Sequence, residues 1–312
     1  MKIAIFGTGG VGGYFGGRLA QSGQDVVFIA RGAHRAAIAE HGLRVESIDG
    51  DFTVRPAVVF EDPAEAGVVD VVNVATKAWQ VAEAAELMRP LLGPNTFVLP
   101  LENGVDSVET LVSALGRERV LGGMCRISSF VAAPGLIRHV GTSAYLAFGE
   151  LDNQPSARAR ALLGVFAGVP QIRAEIPADI QVTMWEKFAL ICAVSGVGAV
   201  TRQPMGAARS VPETRELLRA ALEESTALGR ARGVALAANL PDKVLELIDR
   251  TEPATIPSMQ RDIMDGRPSE LESQNGAVVR MGRESSVPTP THAFLYAALL
   301  PQEIAARRRA QN

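Results

Sequence analysis

Lys187 is the residue whose position first suggests chemistry. It is followed by residues 188–200, FALICAVSGVGAV, which carry no charge. Burying an ammonium group costs free energy unless the group is paired or has a function. In apolar surroundings a lysine binds its proton less tightly, so it can donate that proton to a developing alkoxide as a general acid. A lysine whose head group reaches solvent or an acidic partner is the alternative, and the spacing leaves both interpretations open.

Lys77 and Asn103 follow two apolar runs that are typical of strands, 68–76 and 96–101. Parallel sheets bind ligands at the carboxyl ends of their strands, where both side chains would lie. The Lys77 ammonium could bind an anion, and the Asn103 amide could form hydrogen bonds with a ligand at this edge. A solvated lysine and an asparagine turn explain the two residues equally well when each is taken singly.

Glycines form a G-x-G-x-x-G motif between a strand-like run and a helical run near the start of the chain. In a dinucleotide-binding turn, Gly7 would permit the tight turn, Gly9 would let the backbone approach a pyrophosphate, and Gly12 would allow close helix–strand packing. The helix N-terminus then binds the anion through its amides and its dipole. A glycine-rich turn without a ligand is the alternative. In this turn the residues expected to contact the cofactor are Gly7, Thr8, Gly9, Gly10, Val11 and Gly12. Lys77 and Asn103 are expected to contact it as well, and Asn103 could touch both its nicotinamide ring and a substrate.

The end of the second strand, FIARGAH, indicates which dinucleotide would bind. An NAD site usually has an acidic residue here, which holds the ribose 2′-hydroxyl. This segment has Arg31 and no acidic residue. A guanidinium group suits a 2′-phosphate through charge-assisted paired hydrogen bonds. We therefore predict NADPH/NADP+ as the cofactor, against the alternative of a plain surface arginine.

The first third of the chain alternates short apolar runs with helical stretches. The runs are almost continuously apolar, as expected of parallel strands that are covered on both faces. This rhythm predicts an α/β, doubly wound sheet of the Rossmann type. The predicted strands are 2–7, 25–30, 68–76 and 96–101, and the predicted helices are 10–22, 33–41, 78–89 and 106–115.

The pattern changes twice after the first strands. Residues 43–60 alternate around Asp49-Gly50, which predicts an antiparallel hairpin inserted into the parallel sheet. Residues 119–149 are again rich in strand-forming residues. From about residue 178 the pattern is mostly helical, with prolines as breaks. We therefore predict two domains, a Rossmann domain over 1–177 and an all-α substrate and dimerisation domain over 178–312.

Composition limits the possible partners. A chain of 312 residues exceeds what one hydrophobic core usually organises, which favours two domains. The net charge of −3 gives no electrostatic reason to expect nucleic acid or an anionic membrane as a partner. Two cysteines cannot form a disulfide framework, and they fit a reducing cytoplasm. The apolar run 188–200 is too short for a membrane span, and no metal-ligand spacing is evident.

Several separated segments, in the same order, resemble the ketopantoate reductase (2-dehydropantoate 2-reductase) family. The resemblance covers nearly the whole chain, which makes it more specific than any single motif. The segments that carry it are IFGTGGVGGYFGGRLA, ARGAH, TKAWQ, ENGVD, WEKF, SMQRDIMDGRPSELESQNGAVVRMG and VPTPTH.

The resemblance implies a fold and an activity. The family has a Rossmann domain followed by an all-helical domain, with the active site in the cleft between them. It transfers hydride from NADPH to ketopantoate, which gives (R)-pantoate on the route to pantothenate and coenzyme A. The general acid of the family lies in a W-x-K motif, which here is Trp185-Glu186-Lys187. The glutamate that positions substrate and catalytic groups falls at Glu270.

Further site residues follow from the same resemblance. The substrate-contacting serine of the family falls at Ser258. Lys77 and Asn103 match a lysine and an asparagine of the family's site, and Arg31 matches the residue that binds the NADPH phosphate. The expected substrate is therefore a small anionic 2-oxoacid.

Two positions depart from the family pattern. Family members carry asparagines four and eight residues after the catalytic lysine, on the same helical face, and these contact hydroxyl and carboxylate groups of the substrate. Here those positions are Ile191 and Ser195. Ser195 stays among the expected substrate-binding residues, whereas Ile191 cannot make an amide hydrogen bond. A related branched 2-oxoacid without the 4-hydroxyl therefore competes with ketopantoate as the substrate.

Other classes of function stay open at this point. A dinucleotide-binding sensor that has lost turnover would keep the glycine motif, but it would not need both Lys187 and Glu270. A dehydrogenase acting on opines or other larger substrates shares the two-domain plan, although the W-x-K and SELE segments fit the reductase better. The apolar surface of the helical domain also allows a homodimer.

Overall fold

The apolar runs near the N-terminus form a parallel sheet. The computed structural model describes residues 1–311 and contains ten strands in that range. Five of them pair in parallel in the order β5-β2-β1-β6-β7, which is the arrangement of a dinucleotide-binding half and confirms the Rossmann-type sheet. The strands are Lys2–Phe6 (β1), Asp25–Ile29 (β2), Leu43–Ser47 (β3), Phe52–Val54 (β4), Val58–Phe60 (β5), Val69–Val74 (β6), Leu92–Pro100 (β7), Leu121–Ala133 (β8), Leu136–Glu150 (β9) and Ile172–Glu175 (β10).

Helices connect the parallel strands as the alternation predicts. The predicted helix 78–89 is shorter in the structure, because 3₁₀ turns at Ala78–Gln80 and Arg89–Leu91 flank its α-helical part. Pro90 lies in the second of these turns, where it removes a backbone N–H that an α-helix would need. The helices are Gly10–Gln21 (α1), Gly32–His41 (α2), Val81–Leu87 (α3), Asp106–Leu115 (α4) and Ala157–Ala167 (α5).

The predicted hairpin forms, but it belongs to a second sheet. β3 and β4 pair antiparallel, with Leu43 opposite Val54. β3 also pairs in parallel with β9, so the hairpin lies in the sheet β10-β9-β3-β4, and β8 pairs with β9. The predicted insertion into the parallel sheet is therefore wrong for β3 and β4. Val58–Phe60, at the end of the same segment, does join the parallel sheet, as β5 beside β2.

The second half of the chain is helical, which confirms the predicted fold class. Prolines stand at the starts of several helices, where the absent N–H costs nothing. The helices are Ile180–Thr201 (α6), Met205–Ser210 (α7), Pro212–Ala231 (α8), Leu240–Arg250 (α9), Ser258–Met264 (α10), Ala277–Glu284 (α11) and Pro290–Gln311 (α12), with a π-helical turn at Glu272–Gly276.

The chain divides into two compact units. The first comprises Met1–Glu102 and Ser107–Ile180, and the second comprises Asn103–Asp106 and the chain from Gln181 onward. A short segment that follows β7 therefore groups with the helices, although its neighbours on both sides belong to the first unit.

Helix α6 is longer than the uncharged run within it. It spans 22 residues, so by length and composition it could cross a membrane, and it is the one such helix in residues 1–311. However, 67% of its most apolar 18-residue window is buried in the protein. A core helix of a globular protein has the same length and composition.

Candidate active site

Three polar side chains meet in the helical unit. Lys187 Nζ donates a hydrogen bond to Asn103 Oδ1 at 2.9 Å. Asn103 Nδ2 in turn donates to Glu270 Oε2 at 2.9 Å. Glu270 is buried, and Lys187 and Asn103 are partly buried. The sequence suggests each of these residues separately, and the structure joins them into one chain of hydrogen bonds.

The Asn103 amide has one possible orientation in this chain of hydrogen bonds. An ammonium group only donates hydrogen bonds, and an ionised carboxylate only accepts them. The amide oxygen must therefore face Lys187, and the amide nitrogen must face Glu270. As a result the ammonium contacts a neutral acceptor, and its charge stays available to an anionic ligand or for proton donation.

Helix α6 presents Lys187, Ile191 and Ser195 on one face, because they are spaced four residues apart. Ile191 is partly buried and Ser195 is buried. Close packing fixes the helix at its lysine end: a Cβ at Gly229 of α8 would lie 2.8 Å from the indole of Trp185. The face that carries the lysine is thus held in place within the helical unit.

Ser258 and Lys77 are two further predicted substrate-binding residues. Ser258 is the first residue of α10 and is exposed. Lys77 lies in the first unit directly after the loop that follows β6, and its ammonium is 5.7 Å from the ring centroid of Trp79. The substrate contacts of Ser258 and Lys77 stay predictions.

The glycine-rich turn has the backbone geometry that its motif requires. Gly7 has φ of +97°, which residues with a Cβ rarely adopt. Thr8 closes the turn on β2, because its Oγ1 donates to Ile29 O at 3.0 Å. A Cβ at Gly12 would overlap Gly7 O, and one at Gly10 would overlap the backbone of β8. Contacts within the protein therefore already account for two of the motif glycines, Gly7 and Gly12, and for the additional Gly10.

Gly9 and the first turn of α1 are different, because the protein itself does not use them. A Cβ at Gly9 would have no atom of residues 1–311 within 4 Å, apart from its chain neighbours. No side chain caps the helix, and its first backbone bond runs from Gly13 N to Gly9 O. The amides of Gly10, Val11 and Gly12 thus point out of the helix end, in the arrangement that binds anions. These residues fit a pyrophosphate.

Arg31 lies where the sequence places it, after β2 at the N-cap of α2. Its side chain is 58% exposed and forms an ion pair of 3.4 Å with Glu83, which is 60% exposed. Such an ion pair at the surface contributes little free energy, so Arg31 can leave Glu83 at little cost. The guanidinium is therefore free to turn toward a stronger anion.

A second polar network, which sequence reasoning missed, lies beside Asn103. Arg280 of α11 bonds Asp106 at 3.2 Å and Glu272 at 2.7 Å. Tyr296 of α12 donates to Glu272 at 2.6 Å, and this hydrogen bond is the main reason that the pKa of Tyr296 is raised to about 12. The network ties the segment after Asn103 to the helices. No local pattern could have predicted it, since Asp106 and Arg280 are 174 residues apart.

His292 forms hydrogen bonds with α8 and with the π-helical turn of the helical unit. It is fully buried at the start of α12. Its Nδ1 accepts from Asn275 Nδ2 at 3.0 Å, so the neutral ring carries its proton on Nε2, which is 2.9 Å from Ala221 O. Asn275 Nδ2 also donates to Cys192 O of α6 at 3.1 Å. Burial lowers the pKa of His292.

Because of His292, the free energy of unfolding is expected to decrease as the pH is lowered below 6.5. Since its pKa in the folded chain lies below the ordinary value of 6.5, only the unfolded chain binds the proton near that pH. The contribution of His292 is complete above pH 6.5 and is lost as the pH falls, by at most about 1.4 kcal/mol per pH unit. Urea denaturation at several pH values below 6.5 should therefore show that the free energy of unfolding depends less on pH in His292→Gln than in the wild type. The exposed His41→Gln is the matched control, and an equal slope in wild type and His292→Gln would contradict the expectation.

The cysteines and the potential metal ligands of the described residues do not cluster. Cys125 and Cys192 form no disulfide bond in the described residues and both are buried, and burial raises the pKa of the Cys192 thiol well above its usual value. Within residues 1–311, no three His, Cys, Asp or Glu side chains come together in a group that could hold a metal ion. The polar chemistry of the helical unit therefore centres on Lys187, Asn103 and Glu270.

Both halves of the chain match models of one family. Residues 3–153 match the model described as Ketopantoate reductase PanE/ApbA, and residues 179–303 match the model of its C-terminal part. A 2-dehydropantoate 2-reductase from Mesorhizobium japonicum is 32% identical over 315 residues, which cover 93% of this chain and 94% of the relative. A PanE/ApbA family ketopantoate reductase from Ralstonia eutropha JMP134 is 31% identical, with a TM-score of 0.89, and the match covers 98% of this chain and 100% of that one.

The same fold also serves another oxidoreductase. A D-mandelate dehydrogenase, solved with NADH and anilino(oxo)acetate, has a TM-score of 0.89 at 23% identity, and the match covers 98% of this chain and 99% of that one. At this identity the likeness concerns the fold alone. The two family models, by contrast, together cover most of the sequence. The chain therefore belongs to the ketopantoate reductase family of oxidoreductases.

Proposed function

We propose that the protein is an NADPH-dependent reductase of a small anionic 2-oxoacid, with 2-dehydropantoate as the leading substrate. The product would be (R)-pantoate, which leads to pantothenate and coenzyme A. The observation that carries this proposal is the chain of hydrogen bonds from Lys187 through Asn103 to Glu270. An ammonium group, an oriented amide and a buried carboxylate lie together there, and the ammonium group would serve as the proton donor for reduction of a ketone.

The glycine-rich turn supports the cofactor part of the proposal. The uncapped amides of α1 and the space beside Gly9 suit a pyrophosphate, and Arg31 suits a 2′-phosphate. When bound, the nicotinamide supplies the hydride. Lys77 and Asn103 are proposed as further cofactor contacts, since each follows a strand at the carboxyl edge of the parallel sheet.

Lys187 carries the proton step in this proposal. As hydride reaches the carbonyl carbon, negative charge grows on the carbonyl oxygen, and the ammonium of Lys187 donates its proton to that oxygen. Before that step the same ammonium attracts the carboxylate of the substrate. Asn103 holds the ammonium in place, and Glu270 in turn holds the amide of Asn103. Ser258 and Ser195 are proposed as substrate contacts.

Ile191 supports an alternative within the same class, a 2-oxoacid that lacks the 4-hydroxyl. Its side chain lies one turn beyond Lys187 on α6 and offers no hydrogen bond. A site that binds a hydroxyl through an amide discriminates strongly against analogues without it. The departure at position 191 therefore favours a less selective or differently selective reductase. A non-catalytic NADP-binding sensor is the second alternative.

The test is NADPH oxidation by the purified protein, with 2-dehydropantoate compared with 2-oxoisovalerate and other small 2-oxoacids. A kcat/KM for 2-dehydropantoate that exceeds the others by orders of magnitude would support it as the substrate. A preference for another acid would support the first alternative. NADPH binding without turnover of any 2-oxoacid would overturn the proposal in favour of the sensor.

Size measurement in the same preparation would test the proposed homodimer, and cell fractionation would test the proposed cytoplasmic location.

Cofactor choice is tested by Arg31→Ala. Loss of the guanidinium should weaken NADPH binding by about 10- to 100-fold, because one or two charge-assisted hydrogen bonds to the 2′-phosphate disappear. NADH binding should stay unchanged, since NADH lacks that phosphate. The matched control is Arg89→Ala, which removes another exposed arginine of the first unit that pairs with a glutamate. An equal loss for both dinucleotides would contradict the phosphate contact.

A further inference from the structure

Glu270 lies outside any helix. Residues 267–271 join α10 to the π-helical turn and have no regular secondary structure. The side chain of Glu270 is nevertheless buried, and it meets Asn103 at a normal hydrogen-bond distance. A loop residue can be held this closely only if the chain beside it is anchored.

The neighbouring residue Ser269 is anchored by two side chains of α12. The carboxylate of Glu303 accepts the Ser269 backbone N–H at 3.0 and 3.2 Å and the Ser269 hydroxyl at 2.6 Å. Arg307 donates to Ser269 O at 3.1 Å. The backbone N–H, the carbonyl and the hydroxyl of the residue before Glu270 are thus all bound by one face of a helix.

The binding side chains are themselves tightly held. Glu303 is 4% exposed, and its carboxylate forms an ion pair of 2.7 Å with Arg307 one helical turn later. A buried carboxylate is tolerated when several donors surround it, and this one has the arginine and two groups of Ser269. Ser269 is fully buried as well. These contacts leave the Ser269 backbone little freedom.

From these contacts we infer that Glu303 is a positioning residue, which acts through Ser269 to hold the Glu270 carboxylate against the Asn103 amide. The inference rests on the proposed function, in which Asn103 then orients Lys187. Glu303 touches neither substrate nor cofactor in this scheme. The sequence gives no sign of the role, because Glu303 lies 34 residues from Ser269, in a helix that is otherwise typical of a solvated chain end.

A merely structural role for Glu303 is the competing explanation, and a direct readout separates the two. In ¹⁵N-labelled protein, the side-chain amide resonance of Asn103 can be identified by its absence in Asn103→Ala. Because Asn103 Nδ2 donates to Glu270, this resonance should shift in Ser269→Ala and Glu303→Gln, and return toward its wild-type position in Ser269→Thr. Ser269→Ala is the milder change and decides the test if Glu303→Gln does not fold.

The matched control is Glu224→Gln. The Glu224 carboxylate binds the backbone N–H groups of Thr291 and His292 at 2.7 and 3.0 Å, at the other end of α12. Its loss should lower stability without moving the Asn103 resonance. An unmoved resonance in Ser269→Ala, or an equal shift in Glu224→Gln, would overturn the inference.

Kinetics give a second, independent test. In the wild-type background, Ser269→Ala should lower kcat/KM by about 10- to 100-fold through misplacement of Glu270, with NADPH binding unchanged. In a Glu270→Gln background the same change should cost less than about twofold, because the group it positions is already gone. Equal losses in both backgrounds would overturn the inference. If the wild type reduces no 2-oxoacid, the proposed function fails, and the Asn103 resonance still decides the role of Glu303.

Discussion

Lys187→Ala is expected to lower kcat for 2-oxoacid reduction by about 10²- to 10⁴-fold, the contribution that a positioned general acid typically makes. The loss should fall on kcat more than on NADPH binding, because the lysine lies in the helical unit and the proposed pyrophosphate contacts lie on α1. The variant should fold, since alanine favours helices and Lys187 is only partly buried. Single-turnover kinetics with NADPH and the preferred 2-oxoacid would measure the effect.

The pH–rate profile identifies the role of Lys187 more specifically than the rate alone. A general acid must be protonated, so the wild-type rate should fall on the alkaline side, and that limb should vanish in Lys187→Ala. Lys243→Ala is the matched control, because Lys243 is an exposed lysine of the same helical unit. A folded Lys187→Ala protein that keeps its alkaline limb, or that stays within about tenfold of wild-type activity, would exclude Lys187 as the proton donor.

Gly9→Val is expected to abolish most NADPH binding while the fold stays intact. Gly9 has φ of −81°, which any residue can adopt, and a Cβ there would meet no other part of residues 1–311. The protein alone therefore has no need of glycine at this position. If the backbone approaches a pyrophosphate here, added methyl groups should cost about 1–3 kcal/mol of overlap, or about 10- to 100-fold in affinity.

Both the NADPH affinity and the melting temperature should be measured for Gly9→Val and for a control variant. Gly164→Val serves as the matched control, because a Cβ at that exposed glycine of α5 also meets no neighbouring atom within 4 Å in the described chain. Both variants should melt near the wild-type temperature, and only Gly9→Val should lose NADPH. Unchanged NADPH affinity in Gly9→Val would mean that the motif is a glycine-rich turn without a ligand.

The fold was predictable where a pattern is local. The parallel strands are buried on both faces, so runs such as VVFI in β2 are continuously apolar and can be recognised in the sequence. The placement of β3 was not predictable, because its partner in the second sheet, β9, begins far later in the chain. Alternation around Asp49-Gly50 reveals a hairpin, but it carries no information about which sheet the hairpin joins.

In the candidate site, too, local sequence patterns reveal some residues and not others. Lys187 can be recognised because it is the last charged residue before an uncharged run, and the glycine motif can be recognised because its spacing is fixed by backbone geometry. The contact between Asn103 and Glu270 joins residues 167 positions apart, so no spacing rule could predict it. Glu303 is harder still, since it acts on Glu270 only through Ser269, and its own surroundings in sequence suggest an ordinary helix end.

The grouping of Asn103–Asp106 with the helices has a consequence for dividing the gene. A fragment that starts at Gln181 would encode Lys187 and Glu270, yet it would leave both residues without the Asn103 amide that each of them binds. Coexpressed halves split near that point would have to reassemble before these hydrogen bonds could form. Neither fragment on its own contains Lys187, Asn103 and Glu270 together, so this chemistry requires both parts of the chain.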